Sequence, residues 1–215
     1  MYGLIFDMDG VLTETSKFHL KAWQKLAKEL GGVFPDAMEE KIKGVSRMDS
    51  LEIVLKASGV EGLNPEDKNA LAEKKNREYL KMVQSVSEDD VLPGMKVFLE
   101  REKKKGSKIA LGSSSKSGAI ILKKLGLVNL FDVIVDGNSV TSAKPNPEVF
   151  LKAASLMKIS PDKCIVIEDA AAGVEAAKAA GMKCIGIGDT IELESADIII
   201  CKSNEINEID LIKLL

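Results

Sequence analysis

Six short apolar runs, at residues 2–6, 108–112, 131–135, 164–167, 184–187 and 198–201, constrain this chain more than any other feature. They are rich in Val and Ile, and most are apolar at consecutive positions. A strand that faces water on one side alternates, whereas a strand covered on both faces does not. Helical patterns at residues 94–105, 116–125, 147–157 and 170–180 separate the runs. Strand and helix in alternation specify a parallel sheet joined by right-handed crossovers. The expected fold class is α/β, with a doubly wound, Rossmann-like parallel core.

One stretch breaks the alternation. Residues 17–30, 47–57 and 66–83 carry helical patterns, and no convincing strand lies between Thr15 and Ser87. About 70 helical residues can hold a small core of their own. The expected organisation is a core made of residues 1–15 and 88–215, with an all-helical cap of residues 16–87 inserted into it. Two chain crossings, near Thr15 and near Val91-Leu92-Pro93-Gly94, would form a hinge.

Polar residues cluster where four of the core strands end. Asp7 and Asp9 follow the first run, in Phe6-Asp7-Met8-Asp9-Gly10-Val11. Gly112-Ser113-Ser114-Ser115 follow the second and are expected to open a helix. Lys144-Pro145-Asn146-Pro147 follow the third after a loop, and Glu168-Asp169 follow the fourth. Ligands of an open parallel sheet bind beyond the carboxyl ends of its strands, so all four clusters should converge. Asp7 and Asp9 are two residues apart and can point the same way along an extended backbone. Two adjacent carboxylates repel unless a cation lies between them or one keeps a proton. Mg²⁺ suits oxygen donors, and one aspartate could then attack phosphorus while the other handles protons.

Each cluster also has a structural explanation. The serines could cap a helix, although hydroxyls and free amides at a helix start also make an anion site. Lys144 could be a loop lysine. Pro145 keeps it out of a helix, and Asn146 can cap one that starts at Pro147. Asp169 could be an N-cap, but Glu168 beside it has no capping reason. The matching topological positions favour catalysis over four separate structural roles.

These residues resemble the haloacid dehalogenase superfamily of aspartate-based phosphotransferases over the whole chain. The motifs are Asp7-Met8-Asp9-Gly10-Val11, the serine of Gly112-Ser113-Ser114-Ser115, Lys144 before Pro145, and Glu168-Asp169. The resemblance implies that Asp7 is the nucleophile and Asp9 the general acid/base. It implies that Ser113 and Lys144 hold the phosphoryl oxygens. It further implies Mg²⁺ on Asp7, the backbone carbonyl of Asp9 and Asp169, with Glu168 in support. Ala170 stands where relatives often have Ser, and Glu14 where they often have Asp. Asp9 argues against dehalogenation, because that reaction has no oxygen leaving group to protonate.

The helical segment should choose the substrate. His19 is the single histidine of the chain, and an imidazole can serve as a proton partner near neutral pH. Lys75 interrupts the apolar stripe of Leu71 and Tyr79; it either snorkels to water or presents a cation. Arg47 follows Ser46, an N-cap with Asp49 at the capping-box position, so its planar fork sits at a helix start. Taken alone, Arg47 reads as a solvent-facing arginine.

The stretches around these residues resemble the phosphosugar mutases of the superfamily. That resemblance implies that Arg47 grips the phosphate that is not reacting. It implies that His19 and Lys75 engage Asp9 and the substrate. Further substrate or phosphate contacts are implied at Thr15, Trp23, Ser114, Ser115 and Lys116. The implied reaction interconverts β-glucose 1-phosphate and glucose 6-phosphate through the 1,6-bisphosphate, by a monomer with a small phosphosugar as its partner. Hydrolysis of a sugar phosphate or other small phosphate ester is the alternative.

Composition removes other classes. Net charge is −3 and pI about 5.5, with 4% aromatics, so neither a basic footprint nor stacking platforms favour nucleic acid. No apolar run approaches the ~20 residues that span a bilayer, and no signal peptide is read at the start, so a cytoplasmic protein is expected. Cys164, Cys184 and Cys201 lack disulfide or zinc spacing and are expected to be buried free thiols.

Overall fold

The computed structural model describes residues 1–42 and 45–215, without the side chain of Glu40. Lys43 and Gly44, which precede Val45-Ser46-Arg47, lie outside the described residues. The chain divides into two compact units, Met1–Glu14 with Ser87–Leu215, and Thr15–Val86.

The first unit is built on six parallel strands: β1 (Gly3–Phe6), β2 (Lys108–Gly112), β3 (Val133–Val135), β4 (Cys164–Glu168), β5 (Lys183–Ile187) and β6 (Ile198–Ile200). Their order in the sheet is β3-β2-β1-β4-β5-β6. The chain steps outward from β1 to β3, then returns to the other side of β1 to place β4. That reversal makes β1 and β4 the topological switch, where a crevice opens beyond the strand ends. The parallel register pairs Phe6 with Ile167, so Asp7, just beyond β1, comes out beside Glu168, the last residue of β4. Asp7 N–H donates to the Ile167 carbonyl at 3.0 Å, which carries the ladder one residue further.

Helices α4 (Met95–Lys104), α5 (Gly118–Lys124), α6 (Glu148–Met157) and α7 (Ala171–Ala179) cover the sheet, and α8 (Leu211–Leu214) follows β6. Ile5, Ala110, Val166 and Cys184 point to one face and meet Phe150, Ala153, Val174 and Ala177. On the opposite face Phe6 meets Phe98 of α4 edge-on, with ring centres 6.1 Å apart. Burial on both faces is why the strand sequences do not alternate. The edge strands β3 and β6 are only three residues long, which limits unwanted pairing.

The second unit holds α1 (Ser16–Glu29), α2 (Arg47–Ala57) and α3 (Pro65–Val83). Its core gathers Leu20, Trp23, Leu26, Ala27, Phe34, Leu51, Val54, Leu55 and Ala72. The stripe of α1 therefore runs through Leu20, Trp23 and Ala27 as well as Ala22 and Leu26, while Phe18 and Leu30 lie half-buried at its margin. Ser46 caps α2 by accepting from Asp49 N–H at 3.1 Å. Asn64 caps α3 by accepting from Asp67 N–H at 2.8 Å, with Pro65 in the first turn.

Four local expectations change. The helix after β2 begins at Gly118, so Ser113, Ser114 and Ser115 form a loop ahead of it and do not open it. Ala170, not Asp169, stands at the start of α7, and α6 begins at Glu148, whose N–H donates to Asn146 at 3.0 Å. Cys164 and Cys184 are buried but Cys201 is exposed, because it lies one residue beyond β6 where the apolar run leaves the sheet. Among the described residues no helix is long and apolar enough to cross a membrane.

An ionic clamp ties β2 to the edge strand. Asp132 accepts from Lys103 at 2.7 Å, Lys108 at 3.0 Å and Ile109 N–H at 2.9 Å. Burial alone would raise the pKa of Asp132, but these donors outweigh it and hold the carboxyl at about 2. A depressed pKa stabilises the fold above the unfolded value near 4 and loses that contribution as pH falls toward 2. Because the Asp132 side chain is 20% exposed, solvent screening reduces the effect. Asp132→Asn should cost about 1–2 kcal/mol at pH 7 in urea unfolding. The gap from the parent should close between about pH 4 and pH 2; a gap that persists at pH 2 contradicts the clamp.

Candidate active site

The crevice at the switch collects a buried acidic cluster. Asp7, Glu168 and Asp169 each offer a carboxylate oxygen, all within 4.8 Å of one another. Lys144 lies among them, also buried: its ammonium donates to Asp7 at 2.6 Å and to Glu168 at 2.6 Å. It also sits 4.8 Å from the centre of the Phe150 ring. Burial alone would lower the Lys144 pKa, but Asp7 and Glu168 outweigh it and keep the ammonium charged. Burial pushes Asp7 upward, against the pull of Lys144 and with the help of Glu168 and Asp9. Lys144 thus bridges Asp7 and Glu168, with the Asp169 carboxylate in the same cluster. One ammonium does not offset the charge of three buried carboxylates, which adds to the effect of burial in pushing the nucleophile candidate toward its neutral form.

Glycines make room for this arrangement. Gly10 has φ +70°, and a Cβ there would lie 1.9 Å from an Asp169 oxygen. The backbone at residue 10 is therefore pressed against the Asp169 carboxylate, which only glycine permits. Gly173 lies inside α7, and a Cβ there would lie 1.9 Å from Glu168 Oε1. A glycine in a helix interior costs roughly 0.5–1 kcal/mol relative to alanine. Here it leaves space for Glu168, which is 1% exposed and accepts from Asp169 N–H at 2.8 Å and Ala170 N–H at 2.9 Å.

Hard oxygen donors, surplus negative charge and a backbone held close by Gly10 fit a small divalent cation such as Mg²⁺. The residues that would hold it are Asp7 and Asp169, with the Asp9 backbone carbonyl and Glu168. Asp9 itself is half-buried, and Gly10 N–H donates to the Thr13 carbonyl at 2.8 Å to fold that loop back.

The serine loop lies after β2 in the same unit. Ser113 is buried, and its hydroxyl accepts from Ser115 N–H at 3.2 Å, while its own N–H donates to the Val135 carbonyl at 3.0 Å. Among the described residues, the buried Ser114 hydroxyl has no hydrogen-bond partner. Lys116 is exposed and its carbonyl accepts from Asn138 at 2.9 Å. Gly137 is pressed against this loop, since a Cβ there would lie 2.4 Å from the Ser114 carbonyl oxygen.

A second cluster lies within the helical unit. Lys75 does not snorkel: it is 3% exposed, with its ammonium 2.7 Å from His19 Nδ1 and 4.4 Å from the centre of the Trp23 ring. An ammonium only donates, so Nδ1 accepts and the imidazole proton sits on Nε2. Burial, with Lys75 and Arg47 nearby, holds His19 well below the ordinary histidine range. His19 is therefore a neutral Nε2–H donor at pH 7 and does not titrate there. Tyr79 stacks on it, ring centres 3.9 Å apart, and its hydroxyl lies 3.4 Å from that of the buried Thr15. Trp23 is 1% exposed and belongs to the core of the unit, beneath Lys75. Arg47 pairs with Glu73 at 2.7 Å.

Two contributors escaped the reading of the sequence. Tyr79 reads in the sequence only as part of an apolar stripe, and nothing local says that it meets His19, far earlier in the chain. Gly173 did leave a signal, since a helix-interior glycine five residues after Glu168 calls for a reason.

Comparison with known proteins shows the family and the fold. Residues 2–181 match the family model of the haloacid dehalogenase-like hydrolases. The chain is 37% identical over 207 residues to a β-phosphoglucomutase of Bacillus subtilis, covering 96% of this chain and 92% of that protein. It is 31% identical to a phosphorylated carbohydrates phosphatase of Thermotoga maritima, covering 96% of each. The crystal structure of a β-phosphoglucomutase from Clostridium difficile superimposes with a TM-score of 0.92 at 36% identity, covering 96% of this chain and 93% of that one.

Proposed function

We propose that this chain, which belongs to the haloacid dehalogenase-like hydrolase family, is a phosphosugar mutase that interconverts β-glucose 1-phosphate and glucose 6-phosphate. The observation that carries the reading is the pairing of a buried nucleophile site with the similarity to β-phosphoglucomutases along nearly the whole chain. In the core, Asp7 is positioned beside Lys144. In the helical unit, a neutral His19 on Lys75 and an arginine at a helix start are the residue types that a sugar phosphate requires.

Asp7 attacks phosphorus of the bound bisphosphate, and the bond from phosphorus to the sugar oxygen breaks. Asp9 gives that oxygen its proton as the sugar monophosphate leaves. The phosphoryl group is now on Asp7. In the return half-reaction Asp9 takes the proton of a sugar hydroxyl, that oxygen attacks the phosphoryl group, and the Asp7 carboxylate is released. Lys144 and Ser113 hold phosphoryl oxygens in both directions, while Glu168 keeps Lys144 aimed at Asp7. Ser114, Ser115 and Lys116 line the same loop, and Thr15 and Trp23 support the cap residues around His19. Arg47 takes the phosphate that is not reacting. A Mg²⁺ on this cluster supplies positive charge that offsets the charge developing on the transferred group.

Hydrolysis of a phosphorylated sugar is the second reading, favoured by the similarity to the Thermotoga maritima phosphatase. The two readings differ in measurable products. With Mg²⁺ and catalytic bisphosphate, β-glucose 1-phosphate should become glucose 6-phosphate with little free phosphate. Stoichiometric release of phosphate without isomerisation would replace the mutase by the phosphatase. Arg47→Ala should weaken glucose 6-phosphate binding strongly, by roughly 1.5–3 kcal/mol for a lost charge-assisted contact.

A further inference from the structure

Arg47 already holds an anion of the chain's own. Its Nη1 donates to Glu73 Oε1 at 2.7 Å. Arg47 is the first residue of α2, behind the Ser46 cap. Its side chain is only 18% exposed, whereas that of Glu73 is 58% exposed. Glu73 is an exposed residue of α3, while Ala72 and Lys75 of the same helix are buried. The neighbouring Lys74 is paired elsewhere, with Glu29 at 2.8 Å. Burial first, then the charges of Lys75 and Arg47, lower the pKa of His19.

A guanidinium fork receives carboxylate and phosphate oxygens with the same geometry. A phosphate brings more charge and more acceptor oxygens than a carboxylate, and the start of α2 favours an anion. Because Glu73 is mostly in water, releasing it needs little rearrangement, and an ion pair screened by solvent at its acidic end is worth only about 0.2–1 kcal/mol. We infer that Glu73 is the resident counter-ion of Arg47, displaced when a sugar phosphate binds, and that it lowers the affinity of this site for phosphorylated sugars. This rests on the reading of Arg47 as a phosphate ligand. Glu73 thereby keeps the arginine paired in the empty protein and weakens retention of a doubly phosphorylated sugar.

The sign of one substitution tests this. Glucose 6-phosphate binding is measured by calorimetry in the presence of Mg²⁺ at low ionic strength. Glu73→Gln should tighten binding about two- to five-fold, the exchange value of an exposed ion pair. The gain should shrink in high salt and vanish in the Arg47→Ala background. Glu78→Gln removes the same charge from α3, where Glu78 pairs with Lys25 and Lys81, and should give no gain. Weaker binding in Glu73→Gln would mean that Glu73 orients Arg47, and would overturn the inference. A gain that survives Arg47→Ala, or appears equally in Glu78→Gln, would make it a general charge effect and overturn it too. If Arg47→Ala weakens binding while Glu73→Gln changes nothing, only this inference fails. If Arg47→Ala itself has no effect, the phosphate role of Arg47 fails and the inference with it.

Discussion

Asp7→Asn is expected to lower turnover by at least about 10⁴-fold while leaving the folded protein as stable as its parent. Only a carboxylate can form the phosphoenzyme, and removing the nucleophile of a covalent mechanism typically costs this much or more. The unchanged stability has a separate cause. Asp7 is buried beside Glu168 and Asp169, and burial already pushes it toward its neutral form. Asn is nearly isosteric, keeps an oxygen for the 2.6 Å contact with Lys144, and removes one of the repelling charges. Acid-quenched protein treated with a labelled phosphoryl donor should carry the label on Asp7 in the parent and nowhere in the variant. Near-normal turnover in Asp7→Asn, or label on another residue, would end the aspartyl-phosphate mechanism.

Lys144→Met should damage both the fold and the chemistry. The ammonium is buried and bridges Asp7 and Glu168 at 2.6 Å each. Removing one partner of a buried ionic cluster strands the other charges and typically costs 3–5 kcal/mol, roughly what urea unfolding should register here. Turnover should fall by ~10²–10³-fold, the usual scale for losing one group that stabilises developing charge. Added Mg²⁺ should restore more stability to the variant than to the parent, because the stranded carboxylates then lack their internal cation. Equal stability of variant and parent without Mg²⁺, or an equal Mg²⁺ gain in both, would mean that Lys144 does not neutralise this cluster.

The two units differed in how readable they were. In the core, Ile165-Val166-Ile167 had to be a strand covered on both faces, and Glu168-Asp169 had to end it. Those statements depend on a local period and on the next few residues, which are visible in one dimension. The convergence of Asp7 with Glu168 followed from topology, because a parallel sheet puts every strand end on the same side. The serine loop was less legible. Ser113 looked like the start of a helix, but its hydroxyl is used to bind Ser115 N–H, and the helix waits until Gly118. Serine hydroxyls compete for backbone donors, and a sequence does not say which donor wins. In the helical unit the residues were identified but not their states. The sequence leaves Lys75 either a snorkelling lysine or a directed cation, and His19 a group that can titrate near neutral pH.

By itself the sequence determined the class of fold, the strands and helices of the core and the four polar clusters at its strand ends. All of these follow from periodicity, from strand ends and from chain order, which act over a few residues. Only the tertiary structure decided that Lys144 bridges Asp7 and Glu168, and that Gly173 must lack a side chain to admit Glu168. It alone decided that Lys75 fixes the proton of His19 on Nε2, and that Arg47 rests on Glu73. These are contacts between residues far apart in the chain, most of them made at hydrogen-bond distance among buried groups. Their energies depend on separations and burial that no local pattern encodes, so the charge and proton state of each side chain is a property of the folded packing.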